Sequence, residues 1–249
     1  MPAPAILHRL LHVALPLLVT TIACATWAQA RVPDPPEVVR RIIDRANEFR
    51  RSQGRAPLAP EPQLDAAARG FVAYLASTDR FGHDADGRTP SQRAGAAGYA
   101  WCMVAENLAL EGDSRGFESA ELANRLVDGW IRSEGHRRNL LSADATQTGV
   151  AIAHSTRSDR WYAVQMFGRP ASERVTFEIV NRSGTTVSWR IGDQRVDLPA
   201  GTIRTDETCD AADAEVSLPG RTPMRLQPRG GTRLRIEATP ARQLQISEE

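Results

Sequence analysis

Apolar residues recur at helical spacing in the first part of the chain. From Val38 to Gly54 they occupy positions 38, 39, 42, 43, 46 and 49, a stripe that predicts an amphipathic helix. A second stripe runs from Leu64 to Leu75, and a third predicts a long helix over residues 119–133. The Thr-Pro pair at positions 89–90 is typical of an N-cap and first helical residue, and it predicts a short helix that ends near Ala97.

Apolar, strand-like runs lie between these helices. They cover residues 103–108, 148–153 and 161–167. Several helices around a few strands predict one α/β layered domain, which we place at residues 38–169 after a proline-rich linker at residues 31–37.

After Pro170 the apolar pattern changes from helical spacing to alternation. Residues 175–180, 186–191 and 233–237 alternate apolar with polar side chains, and turn-rich segments separate them. Short strands at this spacing predict a small all-β sandwich of about seventy residues, which we place at residues 172–249. The expected fold is therefore an α/β domain followed by a smaller β-rich domain.

The first thirty residues have the three parts of a secretory signal peptide. A weakly basic start around Arg9 precedes an apolar run from Val13 to Cys24, and Ala28-Gln29-Ala30 provides the small residues of a cleavage site. We expect cleavage before Arg31 and export to the periplasm or the extracellular space. One alternative is a retained anchor helix, although the run is shorter than the ~20 residues needed to span a bilayer. The other is a lipoprotein anchored at Cys24. No later apolar stretch is long enough for a transmembrane segment.

Composition and charge exclude several classes of protein. The chain has 249 residues, of which 41% are hydrophobic, and this is too apolar for a disordered protein. Its 31 basic and 30 acidic residues give a formal charge of +1, which argues against a nucleic-acid binder that works mainly by charge. Every basic residue is an arginine. Without lysine, Schiff-base chemistry, Ser–Lys dyads and the lysine-containing phosphate loop are excluded.

Removal of the first thirty residues would leave two cysteines, Cys102 and Cys209. In an oxidising compartment such a pair predicts one disulfide. The bond would close a loop of more than a hundred residues, worth about 4–5 kcal/mol by chain entropy. The alternative is two separate thiols, one buried and one exposed.

Few residues are candidates for chemistry. The mature chain would keep His83 and His136, each in a polar segment just after a predicted helix, and His154, which we expect in an exposed loop. A helix-end histidine is often structural, because it can bind the last carbonyls of the helix. Glu106 stands in an apolar, strand-like run, so it must pair with an arginine or face a cleft. Glu134 could reach the same place as His136 or lie in solvent.

No local catalytic or metal signature accompanies these residues. The sequence has no H-E-x-x-H, no G-x-S-x-G, no C-x-x-C and no glycine-rich phosphate loop. Two histidines with one or two glutamates suit a weak transition-metal site with imidazole and carboxylate ligands.

Eight segments of the chain have a familiar order and spacing. They are Asn47-x-x-Arg50 with Gly54 and Pro57-Leu58; Leu64 with Ala66 to Ala68; Phe81-x-His83 with Asp86-Gly87; Arg93 with Gly98-Tyr99; Ala105 to Ala109; Trp130-x-x-Ser133-x-Gly-His-Arg137 with Asn139-Leu-Leu141; Gly149-Val150; and Gln165-x-Phe167-Gly168. Together they resemble the bacterial form of the CAP superfamily of cysteine-rich secretory, antigen-five and pathogenesis-related proteins. The resemblance covers roughly Val38 to Arg169, about half of the chain, and the β-rich region after Pro170 is not part of it.

This resemblance implies an α-β-α sandwich with a large open cleft, which two histidines and two glutamates usually line. Carried over by motif, His83 and His136 are the histidines, which can bind zinc or a similar divalent ion, and Glu106 is the first glutamate. The position of the second glutamate holds Ser133, and its neighbour is Glu134. The pair of glutamates is therefore incomplete or displaced.

Three hypotheses about function follow from these residues and the resemblance. The first is a secreted, monomeric binding module whose cleft holds a lipid or a peptide-like ligand, with or without a metal. The second is a hydrolase that uses His83, His136 and Glu106, with Ser133 as a candidate nucleophile. The third is an envelope protein whose β-rich domain makes the functional contact. The incomplete catalytic set favours the first.

For the cleft, we expect His83 and His136 to share one divalent ion such as Zn²⁺, with Glu106 beside them. Two imidazoles supply only half of a tetrahedral zinc shell, so binding should be weak and exchangeable. It should be lost below about pH 6, where imidazoles become protonated.

Overall fold

The computed structural model describes residues 31–192, 194–209, 214–218, 220–239, 241 and 243–249. The signal peptide that we predict at residues 1–30, with the alternative lipid anchor at Cys24, lies outside these residues. Across the described ranges, no helix has the length and apolar character needed to cross a membrane.

The first domain alternates helices with strands. Its helices are α1 (Pro35–Ser52), α2 (Pro62–Thr78), α3 (Pro90–Ala96), α4 (Ser119–Arg132) and α5 (Glu134–Leu141). Its strands are β1 (Ala59–Pro60), β2 (Trp101–Glu111), β3 (Gln147–Ser155) and β4 (Arg160–Pro170).

Local capping explains where these helices begin. The Asp34 carboxylate accepts the backbone N–H of Glu37 at 3.3 Å, and a proline follows at the first position of α1. Thr89 and Gln92 form a reciprocal capping box at the start of α3, which is where the Thr-Pro pair predicted a helix. Both arrangements satisfy backbone donors that have no partner inside the helix.

One mixed sheet divides the first domain into three layers. Its strand order is β1-β3-β4-β2, with β3 and β2 both antiparallel to β4 and with β1 parallel to β3. Helices α1, α4 and α5 pack on one face around Trp130 and Phe167. Helices α2 and α3 cover the other face around Phe71 and Tyr162. The expected α-β-α sandwich is therefore confirmed.

The sequence interpretation was wrong at three places in this domain. No strand was predicted at residues 59–60, but they pair with β3. Helix α5 was not predicted, and His136 lies inside it rather than in a loop after α4. His154 lies within β3, where it is exposed and contacts Asp159, rather than in a loop. The short elements were missed because pairing and packing with distant residues stabilise them, not local propensity.

A buried arginine ties α1 to the far end of the domain. The Arg50 side chain donates to the backbone carbonyls of Ala56, Leu140, Ser142 and Ala145 at 2.7–3.3 Å. Three of these carbonyls lie at the end of α5 and in the loop before β3, and that of Ala56 lies in the segment after α1. Burial lowers the pKa of Arg50 from its usual value, because the charge is removed from water.

Gly149 allows α2 to pack directly on β3. A Cβ atom at this position would overlap the backbone of Leu64 and Asp65. The same contact lets the Asp65 carboxylate accept the backbone N–H of Val150 at 2.9 Å. The first turn of α2 is therefore held against the strand by both shape and hydrogen bonding.

We expect Gly149→Ala to lower the free energy of unfolding by about 1–3 kcal/mol, because the added methyl must displace backbone rather than a flexible side chain. The control is Gly129→Ala in α4, where the new Cβ meets nothing within 4 Å apart from the neighbouring residues and backbone of its own helix. There, alanine should stabilise the helix by about 0.5–1 kcal/mol. Urea denaturation measures both changes, and shifts of the same sign would contradict the close approach.

The second domain is a sandwich of two four-stranded sheets, as the alternating pattern predicted. Trp189, Phe177 and Ile236 lie in the core between them. The strands of this domain are β5 (Val175–Asn181), β6 (Val187–Ile191), β7 (Gln194–Leu198), β8 (Ile203–Thr208), β9 (Ala214–Ser217), β10 (Met224–Leu226), β11 (Arg233–Ala238) and β12 (Leu244–Glu248). One sheet has the order β10-β9-β6-β7 and the other has the order β12-β11-β5-β8.

A disulfide joins the two domains, and this confirms the predicted pair. Cys102 at the start of β2 is bonded to Cys209 just after β8, with the two Cα atoms 5.6 Å apart. Beside it, Arg169 at the end of β4 donates to the carbonyl of Cys209 at 2.8 Å. The chain itself passes between the domains through a short 3₁₀ helix, Ala171–Glu173. The second domain is thus attached next to the start of β2 by two covalent connections.

Candidate functional site

The candidate site lies beside β2, the edge strand of the first sheet. Glu106 is in the middle of β2, and its side chain is 0% exposed. The turn after α2 brings His83 to one side of it, and the first turns of α5 bring His136 nearby. The structure therefore places three of the five candidate residues in one region.

Arg93 of α3 explains how Glu106 can be buried as a carboxylate. The Arg93 side chain is only 4% exposed, and its Nη2 donates to both Glu106 oxygens at 2.8 and 3.0 Å. Its Nη1 donates to Asp86 at 2.8 Å, and the guanidinium lies 3.5 Å from the centre of the Phe71 ring. A buried ion pair is stable only with such additional hydrogen bonds. Arg93 therefore supplies the counter-charge and the frame for Glu106.

Glu106 in turn orients His83. The His83 Nδ1 lies 2.8 Å from Glu106 Oε1, and Arg93 Nη2 donates to the His83 carbonyl at 2.9 Å. The hydrogen bond with Glu106 raises the pKa of His83, and burial opposes it more weakly. Because Nδ1 donates to the carboxylate, Nε2 is the ring nitrogen that can bind a ligand. The His83 side chain is 53% exposed, so a ligand can reach it.

His136 faces His83 across the site. The two ring centroids are 6.5 Å apart. Burial lowers the pKa of His136, and the nearby His83 lowers it further. His136 therefore favours the neutral form, which is the form that can coordinate a metal.

Two asparagines fix α5, and with it His136, against β2. Asn107 Nδ2 donates to the His136 carbonyl at 3.1 Å. Asn139 Nδ2 donates to the Glu106 carbonyl at 3.1 Å and to Asn107 Oδ1 at 2.9 Å. In the preceding helix, Trp130 Nε1 donates to the Leu108 carbonyl at 2.9 Å. Side chains thus bind carbonyls on the outer edge of β2, where the described residues supply no further strand.

The other two candidates are placed differently. Ser133 is the N-cap residue of α5, and its side chain makes no capping hydrogen bond. The Glu134 side chain is 80% exposed and pairs with Arg138 at 2.7 Å. Glu134 therefore faces solvent, which is the second of the two placements that the sequence left open.

The donor set determines what the site can hold. His83 and His136 provide two imidazoles, whereas both oxygens of Glu106 already accept hydrogen bonds from Arg93. Within the described part of the chain, no group of three or more His, Cys, Asp or Glu side chains is arranged to hold a metal ion. The residues present fit a divalent ion only as a two-imidazole site, whose remaining ligands would come from water or from a bound molecule.

Sequence reasoning missed Arg93 as a partner of Glu106 and the Asn107–Asn139 pair as the support of His136. The burial of Glu106 required a cation, but the chain offers many arginines and their spacing does not identify one. Arg93 does lie in one of the eight segments that resemble the family, as does Asn139. That membership was the only signal that could have identified them.

Comparison with known proteins adds a family assignment. Residues 43–167 match the family described as "CAP: Cysteine-rich secretory protein family". Over 117 residues the chain is 26% identical to the uncharacterized protein YkwD of Bacillus subtilis (strain 168), covering 47% of this chain and 42% of that one. The match therefore spans less than half the length of that relative.

Solved structures that are similar to this chain cover a little more than half of it. An outer surface protein of Borrelia burgdorferi has a TM-score of 0.49 and 22% identity, over 55% of this chain and 96% of that one. An extracellular SCP-domain protein of Bacillus anthracis has a TM-score of 0.46 and 26% identity, over 54% and 41%.

Proposed function

This chain belongs to the cysteine-rich secretory protein (CAP) family, and on that premise we propose that it is an exported, monomeric binding module. Its ligand would sit in the cleft beside β2 and contact His83 and His136. The observation that carries the proposal is the fixed, half-exposed His83 ring, held through Glu106 by the buried Arg93. Such a ring offers one nitrogen to a ligand in a defined direction.

Export is supported by the cysteines and by the family. The disulfide joins the two cysteines that lie outside the first thirty residues. Disulfides form and persist mainly in oxidising compartments outside the cytoplasm. The family's description as secretory points the same way. Residues 1–30 would then act as the signal peptide, cleaved before Arg31.

The same contacts weigh against the hydrolase alternative. A general base must be able to take a proton from water or from a nucleophile. Glu106 is fully buried and both of its oxygens accept from Arg93, while Glu134 is exposed and paired with Arg138. Ser133 shares no hydrogen bond with His136 among the contacts of the described residues. No nucleophile and base are therefore paired there as acyl transfer requires.

A divalent ion such as Zn²⁺ is the proposed partner of the two imidazoles. When bound, it would supply a positive charge that attracts a carboxylate or carbonyl oxygen of a lipid or peptide-like ligand. Within this chain, His83 and His136 would hold the ion, and Glu106 would orient His83 without binding the ion itself. This division of roles follows from the saturated oxygens of Glu106.

A zinc titration of the mature protein, followed by calorimetry, tests this proposal. We expect weak binding of one ion that His83→Ala and His136→Ala each reduce by about tenfold or more. The matched control is His154→Ala, which removes an exposed histidine that pairs with Asp159 on another part of the sheet. This variant should bind zinc as the wild type does.

Equal affinity in all four proteins would show that the two histidines are not a site. The hydrolase alternative is tested on the same proteins with peptide, ester and glycan substrates. Turnover that disappears in His83→Ala and His136→Ala, but not in His154→Ala, would replace the binding module by an enzyme.

A further inference from the structure

The outer face of one sheet in the second domain carries an unusual row of charges. In the sheet β10-β9-β6-β7, Trp189 and Val216 point into the core, so their neighbours in sequence point outward. The register aligns these outward residues across the sheet, with Arg225 opposite Glu215, Glu215 opposite Arg190, and Arg190 opposite Arg195. Three arginines thus share one row with a single carboxylate.

The Glu215 carboxylate forms ion pairs with Arg190 and Arg225 but not with Arg195. Glu215 Oε1 lies 3.1 Å from Arg190 Nη2 and 3.2 Å from Arg225 Nε. On the other side, Arg195 Nε donates to the Ser188 hydroxyl at 2.8 Å. Within the described ranges, Arg195 forms no ion pair with any carboxylate, including Asp197, the next outward residue of β7.

Leu218 and residues 220, 221 and 223, which follow β9, line a pocket together with this face. The pocket has a volume of about 290 Å³ and is lined mainly by Ser188, Arg190, Arg195, Glu215, Ser217 and Arg221. Arg221 is exposed, and in the part of the chain described here its side chain also pairs with no carboxylate. The lining therefore contains three guanidinium groups and one carboxylate, together with two serine hydroxyls.

Within the described residues, the lining of the pocket carries more guanidinium than carboxylate charge. Arg190 is paired with Glu215, whereas Arg195, directly opposite Arg190, and Arg221 add two further positive charges. Like charges opposite each other on neighbouring strands repel, and a bound anion would offset the charges of Arg195 and Arg221. Guanidinium groups bind oxyanions through two parallel hydrogen bonds, and serine hydroxyls can donate to the remaining oxygens.

We propose that this pocket binds a phosphate monoester. A phosphate monoester carries close to two negative charges at neutral pH and presents three strong acceptor oxygens. This matches the two guanidinium charges in excess over Glu215 better than a singly charged carboxylate does. The volume is at the low end for small-molecule sites, so the pocket suits a phosphate with a small group attached, such as a sugar. The phosphate could be soluble or belong to a lipid headgroup.

Calorimetry on the mature protein with both domains, at about pH 7.5, tests this, since the ester is then close to doubly charged. Glucose 6-phosphate and inorganic phosphate are the soluble probes, and glucose is the neutral control. We expect Arg195→Gln and Arg221→Gln each to weaken phosphate binding by about tenfold or more. The matched control is Arg229→Gln, an exposed arginine before β11 that does not line the pocket. Circular dichroism melting establishes that each variant is folded.

Phosphatidylcholine vesicles doped with phosphatidic acid distinguish the two sources of phosphate. Sedimentation of the protein with these vesicles, weakened by the same two substitutions, would assign the site to lipid headgroups. Binding of glucose 6-phosphate alone would assign it to soluble esters. The proposal is overturned if glucose binds as well as its phosphate, if neither soluble nor lipid phosphate binds, or if Arg229→Gln has the same effect as Arg195→Gln. None of these outcomes affects the zinc titration of the cleft.

Discussion

Replacement of Arg93 by methionine is expected to destabilise the first domain by about 3–5 kcal/mol, because it leaves the buried Glu106 carboxylate without its cation. The same change removes the donor to the His83 carbonyl and the contact with Phe71. Since His83 is oriented through Glu106, zinc binding in the cleft should fall together with stability. Urea denaturation and the zinc titration measure the two effects.

Two further variants separate the charge effect from a general loss of packing. Arg88→Met removes an exposed arginine just before α3, which makes no ion pair within the described ranges, and should change stability by less than about 0.5 kcal/mol. The double variant Arg93→Met/Glu106→Gln removes the uncompensated charge and should recover part of the lost stability. If Arg93→Met costs no more than Arg88→Met, the buried pair does not hold the site together.

Loss of the disulfide is expected to act mainly on the second domain. In the ladder between β2 and β4, Trp101 lies opposite Pro170, so Cys102 is already close to the point where the chain leaves the first domain. With the first domain folded, the bond closes a loop of only about forty residues, from Pro170 to Cys209. This loop is worth about 4 kcal/mol by chain entropy, at the low end of the range expected from the full sequence separation.

Hydrogen exchange of the variant Cys102→Ser/Cys209→Ser measures the unfolding of each domain separately. Amides of β6 that exchange by unfolding of the second domain should exchange roughly a thousandfold faster. Amides of β4 in the first domain serve as the internal control and should be nearly unchanged. Wild-type protein treated with a reductant should reproduce the pattern. Equal acceleration in β4 and β6 would show that the two domains unfold as one unit.

Part of the candidate site could be predicted from residue types and motif positions alone. His83, His136 and Glu106 were named because they are the residue types that bind metals or move protons and because a family resemblance matched their positions. The structure brings these three together, and it turns Glu134 to solvent. The direction of the Glu134 side chain depends on the start of α5, and no periodic pattern predicted that helix.

The sequence by itself determined the elements that repeat a simple period. Helices α1, α2 and α4 and the alternating strands of the second domain were predictable, because an apolar stripe can be buried only in the conformation that gathers it on one face. The disulfide was predictable because removal of the first thirty residues would leave two cysteines, and an oxidising compartment favours a bond between them. Export rests on the same kind of local pattern in the first thirty residues.

Only the tertiary structure decided which residues meet across the layers. The two-residue strand β1 and the short helix α5 exist because β3 and β2 supply partners to them. Arg93 is the partner of Glu106 because α3 packs beside β2. Charged residues that pair across layers do not recur at a fixed spacing along the chain. A guanidinium can reach a carboxylate from any element that packs nearby, so the spacing of residues in the sequence does not predict which pair forms.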